Sequence, residues 1–377
     1  MSVPKQRVVL IQEHLPHYRT RFFSLLREAL ATEGVELVLI HGKAHDQRLI
    51  TEPLDWAHSV PLVKVGPIIW HRLGHLCKGA DLIIVPQEVK YLRCHWLHLK
   101  SRLGGSAFAF WGHGRNFQSK NFDSPTERVK RFLSRHVDWW FAYNDLSARV
   151  VRELGYPAKL ITTVGNAIDT ASLIRARVAL PAEKIKAVRA ELDLRSENVA
   201  VYTGGLYPNK RIDFLLETAK TIRARVPDFE LIIIGDGPER GTVEQAAAQN
   251  PWIHAVGPKN DEAKVPYWAL AKLLLMPGGV GLVILDSFAL GVPMVTTDTT
   301  LHGPEIDYLR DGVNGVLIPC GDSVTTYAEQ VAELLLDKAT LVRLRDGAIA
   351  SGTHYSIEKM TLNFVDGIIR VITTKAP

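Results

Sequence analysis

The sequence predicts an α/β protein made of two doubly wound parallel sheets that face each other across a cleft. Three observations carry this expectation. The chain has 377 residues, more than one ordinary core holds, so two domains are expected. Short runs rich in Val, Ile and Leu recur along both halves without strict alternation, as in strands buried on both faces. Amphipathic helical segments separate those runs, which is the βαβ pattern written twice.

In the first half, strands are expected at 7–12, 35–42, 81–87, 108–114, 139–144 and 160–167. In the second they are expected at 198–206, 230–237, 252–258, 272–279, 293–298 and 315–320. Helical patterns fill the gaps, for example at 212–223 and 240–249. A polar, helix-prone stretch at 174–191 marks the boundary. The expected domains are 1–180 and 181–355, with 356–377 a helix that crosses back to the first domain.

A hydrophobic content of 46% with 23% charged residues is that of a globular protein. The chain contains no run of about 18 uncharged apolar residues, so no spanning helix is expected. Its start reads as a first strand and not as a signal peptide. Cys77, Cys94 and Cys320 form no Cys-x-x-Cys pair, which predicts reduced thiols in a cytosolic compartment and no zinc site. The net charge of +5 hides an asymmetry: residues 1–190 hold 28 Lys+Arg against 16 Asp+Glu, and residues 191–377 hold 17 against 24. The basic half points to an anionic partner, whether a membrane surface, a phosphorylated acceptor or nucleic acid; two solvated surfaces of opposite sign are the plainer reading.

Phosphate chemistry is written in the second half. In "VYTGGLYPNKRIDFLLETAK" (201–220) a strand runs through Gly204 and Gly205 to a helix, with Lys210 and Arg211 just before it. A helix N-terminus favours an anion there, and Lys210 adds a full charge. "IIIGDGPERG" (232–241) has Gly235 and Gly237, but Arg240 stands where a dinucleotide fingerprint needs its third glycine, so turn chemistry explains it better. "MPGGVGLVILDSFALGVPMVTTD" (276–298) places Gly278, Gly279, Val280, Gly281 and Leu282 ahead of a helix, with Asp286 about one turn deeper. Its amides suit a diphosphate, and Asp286 can accept hydrogen bonds from two ribose hydroxyls. "TLHGPEIDYL" (300–309) adds a fourth glycine turn, with Glu305 near a helix start. Together these turns predict a nucleotide-diphosphate site.

In this order and spacing, "YTGGLYPNKRIDFLLE", "ELIIIGDGPE", "GVGLVILDSFALGVPMVTTD" and "GPEIDYLRDGVNGVLIP" resemble the retaining GT-B glycosyltransferases of family 4. "VGNAID" (164–169) and "WGHG" (111–114) extend the resemblance more thinly into the first half. The resemblance implies a GT-B fold with an acceptor-binding first domain and a nucleotide-sugar-binding second domain. It implies donor contacts from Gly204, Gly205, Lys210, Arg211, Gly235, Gly237 and the 278–282 loop, with Asp286 on the ribose. It implies that His113 contacts the transferring sugar and that Lys210 serves catalysis at the diphosphate. Pro16, His17, Arg19, Arg21 and Arg115 are the expected acceptor-side residues.

Three departures stand out. Gly278 replaces the first acid of the family pair, Asp286 shortens the second, and Gly205 replaces an arginine. They leave open a non-catalytic nucleotide-sugar-binding protein or a GT-B nucleotide-sugar epimerase. The main expectation is transfer with retention from a nucleotide sugar to a lipid-linked or growing glycan acceptor. The sequence holds no Asp-x-Asp, so neither metal nor cofactor is expected, and leaving-group charge falls to Lys210 and helix N-termini. Basic, aromatic-rich segments at 68–78, 90–105 and 113–140 predict peripheral attachment to an anionic cytoplasmic membrane face. The alternative for the 113–140 helix, with Ser124 as its cap, is that Val129, Phe132 and Leu133 pack on the sheet. Nucleic acid is not an expected partner, because the phosphate turns lie on the acidic half.

Overall fold

A computed structural model describes residues 6–42, 54–66, 68–73, 75–88, 90–101, 105–115, 125–259 and 261–374. The chain divides into two compact units: residues 1–169 with 357–377, and residues 170–356.

The first unit is built on seven parallel strands: β1 (Gln6–Gln12), β2 (Val35–Gly42), β3 (His58–Val60), β6 (Leu82–Pro86), β7 (Ala107–Gly112), β8 (Trp139–Ala142) and β9 (Ile161–Thr163). Their order across the sheet is β3-β2-β1-β6-β7-β8-β9. The six strands expected in this half are all present. The expectation missed β3 and an antiparallel hairpin, β4 (Leu62–Val65) with β5 (Ile68–His71). These are too short to show a period in sequence. Helix α1 (His17–Thr32) covers one face through Phe22, Phe23, Leu26 and Leu30.

The last helix of the chain, α13 (Ile357–Thr374), belongs to this unit. Ile357, Met360, Phe364, Ile368, Val371 and Ile372 recur at helical spacing and are buried. Phe364 lies against Phe141, Trp111 and Phe22, with ring centroids 4.9, 5.0 and 5.2 Å away.

The second unit is a six-stranded parallel sheet: β10 (Val199–Thr203), β11 (Glu230–Ile234), β12 (Ile253–Gly257), β13 (Leu273–Met276), β14 (Met294–Thr297) and β15 (Gly315–Ile318). The order β12-β11-β10-β13-β14-β15 reverses direction between β10 and β13. Such a switch point opens a crevice at the carboxyl ends of the strands. The first residues of this unit form α5 (Thr170–Val178), which packs on α10 (Val283–Leu290), so the division falls at residue 169 and not at the expected 180.

Where α13 crosses the sheet it does so at Gly367. A Cβ there would lie 2.6 Å from Phe141 and from Thr162 Oγ1. Gly367→Val is therefore expected to lower unfolding stability by about 1–3 kcal/mol in urea denaturation. Unchanged stability would show that the helix does not seat this closely.

Candidate functional site

Three loops of the second unit converge at the carboxyl ends of β10, β13 and β14. The loop after β10 carries Lys210, and its backbone runs directly along the loop after β13. The Gly279 N–H donates to Asn209 O at 2.8 Å. A Cβ on Gly278 would lie 2.3–2.5 Å from the main chain of Lys210. A Cβ on Gly279 would meet Leu301 O at 2.7 Å. Any side chain at 278 would force these loops apart.

This packing delivers the Lys210 ammonium to the carbonyl of Gly279, with which it hydrogen-bonds. Burial pushes the ammonium below the usual lysine range, and nearby Glu305 pulls part of the way back. Two residues beyond Gly279 the surroundings change: a Cβ on Gly281 would meet nothing within 4 Å. Gly281 and Leu282 open α10, and among the described residues no hydrogen bond is donated by either N–H. A half-buried cation thus lies beside unpaired amides at a helix start, an arrangement suited to an anion.

The third loop buckles the second in place. The Val280 N–H donates to His302 Nδ1 at 3.1 Å, and His302 Nε2 then donates to Thr297 O at 2.7 Å. Burial first, with the charge of Lys210 adding, keeps the imidazole below its usual pKa, against the pull of the Thr297 hydrogen bond and Asp298. The Gly303 N–H donates back to Val280 O at 3.0 Å.

Asp286 sits in the first turn of α10 and is 5% exposed. Its Oδ2 accepts from Lys264 Nζ at 2.7 Å, while Oδ1 is buried without a partner among the described residues. Burial raises this carboxyl above the usual range; Lys264 opposes the rise and Asp261 adds to it.

Several expected donor residues have other engagements. Arg211 turns away: its guanidinium pairs with Asp322 at 2.7 Å, bonds Gly321 O and lies over Phe214 at 4.0 Å. Gly204 and Gly205 form the turn after β10, where Tyr202 Oη donates to Gly205 O at 2.8 Å. The close approach that demands glycine at 235 is to Gly204 O, 2.0 Å from a would-be Cβ, and at 237 to Leu206 O, at 2.6 Å. The glycines at 235, 237, 278 and 279 therefore fit protein backbone to protein backbone. Only Gly281 has the open surroundings that the sequence reading gave to the whole loop.

The first unit gathers its candidates at the carboxyl ends of β1, β7 and β9. His113 follows β7 and meets Tyr143 edge-on, with centroids 4.0 Å apart. The Gln87 side chain clamps this loop: it accepts from the Gly114 N–H and donates to Gly114 O, both at 3.0 Å. Arg19 is not available for the acceptor phosphate expected of it. It is buried, bonds Asn166 Oδ1 and Ala167 O, and lies over Trp111 at 5.3 Å. Pro16 is half-buried, and His17, Arg21 and Arg115 are exposed. Sequence reasoning missed Glu13, which accepts from Lys90 at 2.9 Å and from Tyr91. Burial works to raise Glu13, but the Tyr91 and Lys90 hydrogen bonds hold it below the usual range.

Helix α2 (Leu92–Ser101) and helix α3 (Pro125–Ser134) leave Leu99 and Phe132 65% and 63% exposed. Phe132 therefore does not pack on the sheet, whereas Leu133 does. The Ser124 cap and the Val129 side chain lie outside the described residues. Among the described residues no helix is long and apolar enough to cross a membrane, and no group of three or more His, Cys, Asp or Glu is placed to hold a metal ion.

With this geometry in hand, comparison with known proteins is decisive for the second unit. Residues 197–337 match the sequence model of the family described as Glycosyl transferases group 1. This stretch is a group 1 glycosyl transferase domain. Over 344 residues the chain is 28% identical to the lipopolysaccharide core biosynthesis glycosyltransferase LpsE of Rhizobium meliloti, covering 86% of this chain and 88% of that protein. Other matches are partial. A GDP-mannose-dependent alpha-(1-6)-phosphatidylinositol monomannoside mannosyltransferase of Mycobacterium tuberculosis is 31% identical over 44% of this chain and 45% of its own length. An exopolysaccharide phosphotransferase of Streptomyces coelicolor is 29% identical over 41% of this chain and 16% of its own. Among solved structures, Anabaena HepE in complex with UDP has a TM-score of 0.70 at 16% identity, over 97% of this chain and 100% of that one. The likeness establishes the GT-B fold.

Because burial raises Asp286 above its unfolded value, its ionisation costs stability. That cost grows as pH climbs from the ordinary carboxylate range through the folded pKa. Lys264→Met removes the opposing cation and should deepen the loss. Urea denaturation at ~pH 4 and ~pH 7.5 checks this. The deficit of the variant should be larger at the higher pH; a pH-independent deficit would contradict the ion pair.

Proposed function

We propose that the protein is a retaining glycosyltransferase that moves a sugar from a nucleotide-diphosphate sugar to a lipid-linked or growing glycan acceptor. The observation that carries this reading is the half-buried Lys210 ammonium on Gly279 O, beside the unpaired amides of Gly281 and Leu282. The match of residues 197–337 supports it, as do relatives named for lipopolysaccharide core and phosphatidylinositol mannoside synthesis.

In this reading the diphosphate lies against the two amides. Lys210 leaves its carbonyl to meet the charge that develops as the bond from the anomeric carbon to phosphate breaks. Preorganised donors of this kind are worth about 10²–10³ in rate each. The acceptor oxygen bonds the anomeric carbon on the face that phosphate leaves, and its proton passes to the departing phosphate oxygen. Asp286 offers its unpaired Oδ1 to a ribose hydroxyl while Lys264 holds Oδ2. His113 contacts the transferring sugar, and Pro16, His17, Arg21 and Arg115 face the acceptor. The main-chain amides and Lys210 take the place of a metal ion.

Membrane attachment belongs to this proposal as well. Trp96 is 45% exposed and carries Arg93 and Lys100 over its ring at 4.4 and 5.6 Å. With Leu99 and Phe132 it makes an aromatic, cationic surface suited to an anionic headgroup layer on the cytoplasmic face.

Thermal shift with a panel of nucleotides and nucleotide sugars tests the site. At least one nucleoside diphosphate should raise the melting temperature of the wild type. Lys210→Ala should abolish that shift and lower turnover by about 10²–10³-fold with the fold intact. A variant with near-normal binding and turnover would refute the assignment.

A further inference from the structure

At the opposite edge of the second unit's sheet, below the amino ends of β10, β13 and β14, lies a cavity of about 580 Å³. That volume is in the range of small-molecule sites. Four to five residues of strand, roughly 15 Å, separate it from the loops that hold Lys210. It therefore belongs to neither the donor nor the acceptor machinery.

Trp268, Leu290, Val292 and Leu341 supply the apolar part of its lining. The polar part is mainly cationic. Arg177, on α5, and Arg345, on α12 (Lys338–Gly352), both line it, with Lys338 beside them. Among the described residues neither guanidinium has a hydrogen-bond or ion-pair partner. Burial, and then the facing charge of Arg345, hold Arg177 below the usual arginine range. The other charged lining groups are engaged elsewhere: Glu197 pairs with Arg189 at 2.9 Å, and Lys272 donates to Asn198 Oδ1 at 2.8 Å. Arg177 is half-buried and Arg345 exposed, and both line one cavity with no carboxylate paired to them among the described residues, so both are free to take an anion. Lys338 and Arg345 lie in the half of the chain that is otherwise acidic. The surround is also apolar: Val178 and Val342 are 83% and 58% exposed, and Ile349 lies beside Gly291 and Arg177 Nη1.

We propose that this cavity binds an amphipathic phosphate, with the phosphate between Arg177 and Arg345 and the apolar chain along Leu290, Val292 and Leu341. Guanidinium pairs suit phosphate because they donate in a planar fork. The apolar wall and the exposed Val178 and Val342 select an anion that carries a hydrocarbon chain over a bare one. The ligand is either a membrane lipid or a free amphiphile, and the two share this chemistry.

Titration calorimetry on the full chain tests the site, with octyl phosphate below its micellar concentration, inorganic phosphate and octyl glucoside as probes. Octyl phosphate should bind at one site. Arg177→Gln and Arg345→Gln should each weaken it at least about tenfold, as for loss of a charge-assisted hydrogen bond. Melting and circular dichroism of both variants should match the wild type. Octyl glucoside should not bind, and inorganic phosphate should bind at least about tenfold more weakly. Equal affinity in the variants, or inorganic phosphate binding as tightly as octyl phosphate, would overturn the proposal. Sedimentation with vesicles of phosphatidylglycerol and phosphatidylcholine separates the sources. Loss of vesicle binding in both variants assigns a bilayer lipid; unchanged vesicle binding with weakened octyl phosphate assigns a free amphiphile.

Discussion

The second unit is organised around one contact, the main chain of Lys210 pressed against the Cα of Gly278. No side chain fits between them. The contact sets the distance between the loops leaving β10 and β13, on either side of the sheet's switch point. It carries the Lys210 ammonium across to Gly279 and leaves Gly281 and Leu282 beyond it, with their amides donating to no acceptor among the described residues. It also explains the departure at 278. An acid in that position would need a Cβ where the Lys210 carbonyl already lies.

Electrostatics then favours a ligand. Lys210 is half-buried, with the Gly279 carbonyl its one hydrogen-bond acceptor among the described residues, a poor exchange for water around an ammonium. Asp286 is more deeply buried, with one oxygen satisfied by Lys264 and the other by nothing among the described residues. Both groups carry a desolvation cost in the unliganded protein. A nucleoside diphosphate, the ligand proposed for this site, would supply an anion to the first and hydroxyl donors to the second, and its binding would offset that cost. His302 keeps the loop ready by bridging Val280 to Thr297 in one tautomer.

Much of this fold was legible because buried parallel strands leave a simple trace. Runs such as Leu231–Ile234 and Leu273–Met276 are apolar on both faces, and twelve such runs were recognised with ends displaced by a few residues. The hairpin at 62–71 escaped notice because its four-residue strands mix Lys64 and His71 with apolar residues. Glycine spacing marked three loops that the fold brings together beside the switch point, but it misassigned the reason for most of the glycines. A sequence shows that a backbone approaches something closely; it does not show whether that something is a ligand or another loop. Arg19 was misread for a related cause. A surface-type residue beside a strand end looks like a ligand contact until Asn166 and Ala167, nearly 150 residues away, are seen to hold it. Lys264, His302 and Gln87 left no signal, since each acts through a partner at least 22 residues away, Asp286, Val280 and Gly114 respectively.

The central claim is that diphosphate oxygens are held by two main-chain amides and one ammonium in the loop after β13. A crystal structure of the protein with its best-stabilising nucleoside diphosphate tests it most directly. Phosphate oxygens should lie within about 2.7–3.2 Å of Gly281 N, Leu282 N and Lys210 Nζ. Phosphates bound elsewhere, with Lys210 still on the Gly279 carbonyl, would contradict it.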